Sequence, residues 1–114
     1  MLNQPHNVEE IERKMLAALC SGSLTLTERQ SFLRRLGRYD WHSPDHRVIY
    51  TALRRSRQLN RAELRQDVIA EVTRLGFPDV DITQIFVPCG LLKNDLVALV
   101  DILLSASTER RNTK

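Results

Sequence analysis

The sequence predicts an all-α fold: a single domain built as a compact orthogonal array of five to six helices. Three observations carry this prediction. Apolar residues recur three or four positions apart in one segment after another. Capping residues and isolated glycines stand at the segment ends. No run alternates apolar and polar residues in the way a half-buried strand does.

The first seven residues read as a flexible arm. Asn7 is placed to cap a first helix, whose early acids Glu9, Glu10 and Glu12 suit the positive end of the helix dipole. Val8, Ile11, Met15, Leu16 and Leu19 form its apolar stripe, and Cys20-Ser21-Gly22-Ser23 ends it. A second helix is expected from Thr27, with Gln30 completing a capping box. Its inward face is Phe32, Leu33 and Leu36, and Gly37 is its stop.

An aromatic loop, Tyr39 to Trp41, leads into a third helix from Pro44 to about Gln58. Ser43 is its cap, Pro44 takes the first position where a missing N–H costs nothing, and Asp45 meets the dipole. Val48, Ile49, Ala52 and Leu53 form the stripe. Asn60 caps a fourth helix with Glu63 as box partner. Leu64, Val68, Val72 and Leu75 face inward, and Gly76 closes it. Phe77-Pro78-Asp79 is a turn. Residues 81–86 form one helical turn or a short extended piece, and Pro88 and Gly90 break the chain again.

A last helix runs from Leu91 or Asn94 to Leu104. Leu96, Val97, Leu99, Val100, Ile102, Leu103 and Leu104 go nearly all the way round it. Such a helix is either the centre of the core or a contact with a partner. Residues 105–114 read as a flexible tail, which leaves 8–104 as the domain.

At 114 residues, with 42% hydrophobic and 27% charged, the chain is one globular domain rather than a disordered one. No apolar run reaches the roughly 18–20 residues of a membrane span. The opening Met1-Leu2-Asn3-Gln4-Pro5-His6 lacks the build of a signal peptide, so a cytoplasmic location is expected. Cys20 and Cys89 are read as two reduced thiols, with a disulfide as the alternative.

The net charge is +3, unevenly spread. Eleven arginines (29, 34, 35, 38, 47, 54, 55, 57, 61, 65 and 74) share the middle with five acids, Asp40, Asp45, Glu63, Asp67 and Glu71. Such a flank attracts nucleic acid or an acidic protein surface. The alternative is that these arginines are helix formers lying over apolar surface.

The four glycines stand singly, so no phosphate-cradling loop exists. His42 and His46 are four apart, but Ser43-Pro44 starts the helix between them and denies them a shared helical face. Cys20 and Cys89 sit in no nucleophile signature, and Glu9, Glu10 and Glu12 belong to a helix start. The expectation is therefore no catalytic, cofactor-binding or metal-ligating set, and no enzyme. A helix-turn-helix reader is disfavoured because the Gly37–Ser43 connection is long and aromatic. What remains is binding, through Arg54, Arg55, Arg57, Arg61 and Arg65 or through Leu99 and Leu103 of the last helix.

Two segments together resemble the N-terminal head domain of DnaB-type replicative helicases. Ile11-Glu12-Arg13-Lys14-Met15-Leu16-Ala17-Ala18-Leu19 is similar to that family's opening helix, in which an acid precedes a Leu-small-Ala-Leu run. Asp40-Trp41-His42, followed by Asp45-His46-Arg47-Val48-Ile49-Tyr50-Thr51-Ala52-Leu53, looks like its "DF…HR.IF.AI" helix start, with Trp41 in the aromatic position. The likeness covers about Asn7 to Leu59; beyond Asn60 it is only an order of helices. Leu16, Leu19, Trp41, His46, Ile49, Ala52 and Leu53 are then structural core.

The resemblance implies a non-catalytic interaction domain of DNA replication. It would dock with helicase, primase or loader proteins, possess no cofactor, and pair with itself as a homodimer. Any helicase ATPase would lie in a domain outside these residues, and the helical hairpin that follows the head in the family is at most half present. The alternative function is a small basic helical DNA-binding regulator, with nucleic acid as the secondary partner. No membrane partner is expected.

Overall fold

The computed structural model describes residues 5–21, 24–57, 60–86 and 93–112. All regular structure among them is helical: α1 Pro5–Leu19, α2 Leu26–Arg35, a 3-10 turn Leu36–Arg38, α3 Pro44–Arg55, α4 Arg61–Arg74 and α5 Lys93–Asn112. The predicted all-α class is thus the observed one.

Helix α1 begins at Pro5, two residues before the expected Asn7 cap. A proline in the first turn loses no hydrogen bond and already holds a helical φ, so the helix extends into the expected arm. Residues 1–4 of that arm lie outside the described residues. The far end of α1 is engulfed: Met15, Leu16, Ala17, Ala18, Leu19 and Cys20 are all buried. Helix α5 is its main neighbour and α3 its second. The expected stop at 20–23 falls partly on Gly22 and Ser23, which lie outside the described residues.

Helix α2 starts two residues earlier than expected. Its cap is Thr25, not Thr27: the Thr25 hydroxyl accepts from the Glu28 amide at 3.1 Å, and the Glu28 carboxylate accepts from the Thr25 amide at 3.0 Å. Both threonines have a partner three residues on. The carboxylate of Glu28 gains more at a helix N-terminus than the neutral amide of Gln30 does. Gly37 does not stop the helix in a left-handed turn. The chain tightens into the 3-10 turn, and the only positive φ among the described residues is at Gly76.

Helix α3 is capped as expected, Ser43 Oγ accepting from the His46 amide at 3.4 Å with Pro44 first in the helix. It ends at Arg55 rather than near Gln58, because Ser56 turns extended and is captured from two sides. Its carbonyl accepts from Arg29 of α2 at 3.2 Å, and its hydroxyl donates to Asp67 of α4 at 2.9 Å. Gln58 and Leu59 lie outside the described residues. Asn60 caps α4 by accepting from the amides of Ala62 and Glu63. Gly76, at φ 98°, closes α4: the Phe77 amide donates to Val72 O and the Gly76 amide to Thr73 O, which satisfies two orphan carbonyls. Residues 82–86 make a single turn that buries Ile82 and Ile85. The predicted breaks at Pro88 and Gly90 and the start at Leu91 lie outside the described residues.

Helix α5 divides its apolar residues between two faces. Leu96, Val100 and Leu103 join the common core, whereas Val97 and Ile102 point outward at 38% and 48% exposure. The predicted frayed tail is helical as far as Asn112. Ser107, inside it, is buried and accepts from the Asp40 amide at 3.1 Å. That contact holds the last turns against the aromatic loop. Among the described residues no helix is long and apolar enough to cross a membrane.

Candidate functional site

Among the described residues, the loop between the 3-10 turn and α3 carries the densest polar geometry, and it closes on α1. Glu12 is 0% exposed. Its Oε2 accepts from the Tyr39 hydroxyl at 2.5 Å and the His42 amide at 2.6 Å, and its Oε1 from the Ser43 amide at 3.2 Å. The fourth donor is the His46 ring, with Nδ1 2.9 Å from Oε1. An ionised carboxylate only accepts, so His46 carries its proton on Nδ1. Burial opposes the charge on Glu12, but the bonds from His46, Tyr39 and the two amides outweigh it and hold the carboxyl below the ordinary glutamate range. Beside this clasp, the more exposed His42 Nδ1 lies 2.8 Å from Glu9 Oε2.

A carboxylate with four donors and a lowered pKa is a poor proton acceptor at neutral pH, and its four bonds fasten the loop and the start of α3 to α1. Sequence spacing separates His42 from His46, and the structure places each against its own acid of α1. Among the described residues no three His, Cys, Asp or Glu side chains converge as a metal site. Cys20 is a fully buried thiol, and Cys89 lies outside the described residues.

The expected core residues meet around the clasp. Leu16, Leu19, Ile49, Ala52 and Leu53 are buried together and His46 is bonded to Glu12. Trp41 is the exception. It packs on the core but is only half-buried, at the rim rather than the centre. Its two ring neighbours, Tyr39 and Tyr50, are buried. Tyr39 meets the indole edge-on at 4.9 Å and Tyr50 lies tilted at 5.2 Å, while the Tyr50 hydroxyl donates to Leu33 O.

The residues of the two expected interaction surfaces differ in exposure. Arg54, Arg55, Arg57 and Arg65 are exposed. Arg55 is already engaged by Glu71 at 3.2 Å, and Arg54 lies 5.8 Å from the centre of the Tyr50 ring. The Arg61 side chain lies outside the described residues. Leu99 is half-buried against the core. Leu103 is corrected outright: at 0% exposure it is core, because it falls with Leu96 and Val100 on the inward face of α5.

Two features escaped sequence reasoning. Arg29, counted with the basic flank, is buried between α2 and the end of α3, and burial pulls its pKa down. The second is an open cavity of about 520 Å³ beside the aromatic loop, lined by Gly37, Arg38, Tyr39, Asp40, Trp41 and Arg47. The half-exposed Trp41 was the signal that could have pointed to it. Compared with protein families, with curated proteins and with solved structures, the chain matches none.

Proposed function

We propose that this chain is a non-catalytic interaction head of the DnaB N-terminal type. It would act in cytoplasmic DNA replication by docking onto a helicase, primase or loader protein, with pairing to a second copy as a further contact. One observation carries the reading. The acid of the first family-like block, Glu12, and the histidine of the second, His46, are hydrogen-bonded partners inside one core. Residues that resemble the family in two separate stretches thus belong to one device. The exposed Arg54, Arg57 and Arg65 offer a basic contact for an acidic partner surface.

The test uses purified full-length chain with purified replicative helicase, primase and loader, in pull-down and sedimentation velocity. Retention by at least one partner, weakened when Arg54 and Arg57 become glutamate, is the expected outcome. A strictly monomeric protein held by none of the three overturns the reading.

A further inference from the structure

We propose that the cavity beside Trp41 binds single-stranded nucleic acid, with one base stacking on the indole and the flanking phosphates meeting Arg38 and Arg47. This inference stands apart from the docking role above and survives or fails without it.

The volume of about 520 Å³ lies in the range of sites that hold small ligands, roughly 300–1,000 Å³. Of the three clustered aromatic residues, Tyr39 and Trp41 both line the cavity, but Tyr39 is nearly covered while Trp41 is only half-buried, and Tyr50 is buried outside the lining. Contacts with Tyr39 and Tyr50 fix the indole before any ligand arrives, so little rotamer freedom is lost on binding.

The charge around the indole is cationic. Arg38 and Arg47 line the cavity with Asp40 as the single acid. Arg54 continues the line two turns along α3 from Arg47, on the same helix face and over the Tyr50 ring. Cations interleaved with an aromatic plane are what a flexible strand requires, since each nucleotide brings one phosphate and one π-face. A duplex keeps its base faces stacked inside and cannot offer one to a recess. An acidic peptide would engage the arginines but leave the indole plane unused.

Trp41 is the only tryptophan, so its fluorescence reports this site directly. The full chain is titrated with a thymidine oligonucleotide of about ten residues, a hairpin duplex and polyglutamate. Saturable quenching by the single strand is expected. With two phosphates engaged, affinity falls about sevenfold between roughly 50 and 200 mM salt, and about 18-fold if Arg54 holds a third. Arg47→Ala, at an exposed position that leaves the core intact, weakens binding by about tenfold, whereas Arg34→Ala, exposed on α2 and outside the cavity lining, leaves it unchanged. The proposal is overturned by no quenching at low salt. It is equally overturned by equal or tighter binding of the hairpin or polyglutamate, or by an Arg47→Ala protein that binds as before.

Discussion

Glu12 is the residue whose loss should be felt most, because four donors from a distant loop and the first turn of α3 depend on it. Replacing it with glutamine keeps the shape but removes the charge and turns an N–H group towards those donors. Breaking a buried charged contact of this kind costs about 3–5 kcal/mol. Glu12→Gln should therefore unfold at markedly lower urea at pH 7. The pH dependence follows from the lowered pKa. The unfolded chain titrates near 4.5, the folded one below it, so the clasp contributes fully above about pH 4.5 and is lost as pH falls through the folded value. The stability gap between Glu12→Gln and the parent should accordingly narrow towards pH 3; a gap independent of pH would refute this account. The sequence carried a hint, since Glu12 stands four before Leu16 and seven before Leu19, on the apolar stripe itself. The tally of acids at a helix start masked it. Its partners are 27 to 34 positions away, a distance over which local patterns say nothing.

At the scale of elements, the two described glycines that were expected to stop helices behave differently, and substitution separates them. Gly76 has φ 98° and open space where a Cβ would stand, so Gly76→Ala meets no clash and only backbone strain, about 1–2 kcal/mol. Gly37 has no positive φ, and its added Cβ would meet the Tyr50 hydroxyl oxygen at 3.8 Å, an ordinary contact. Gly37→Ala should be neutral or raise stability by about 0.4–1 kcal/mol, because the unfolded chain loses freedom. Thermal melts of both variants decide the matter, and equal losses would contradict it. Signals read correctly from sequence were those settled within a few residues: Ser43-Pro44 at the start of α3, Asn60 before α4, Gly76 after it. The choice between Thr25 and Thr27 was finer, since each has a box partner three residues on and only the charge of Glu28 against the neutral Gln30 separates them.

For the whole molecule, the sequence disclosed the class and the order of helices, because apolar periodicity survives any detail of packing. It disclosed less about the extent of the domain. Residues beyond Leu104 look expendable by composition, yet Ser107 is buried and bonded to the aromatic loop. Ending the chain at Leu104 should therefore lower the melting temperature, and Ser107→Ala alone should cost about 1 kcal/mol. A truncated protein as stable as the parent would show that the last turns of α5 contribute nothing. The candidate site was the least legible part: the cavity beside Trp41 joins residues of the 3-10 turn, the loop and α3, and no spacing rule describes such a union. The clasp also sets the alignment of α1 against its neighbours. Apolar stripes on two helices repeat every turn and tolerate sliding by a turn. If α1 slid one turn along α3, Val8 or Leu16 would arrive where the Tyr39 hydroxyl, the His46 ring and two loop amides converge. A greasy side chain would then face four unanswered donors, while a carboxylate was driven into oil. Glu12 works as a key cut for one lock, rejecting every neighbouring alignment that leucines alone would accept.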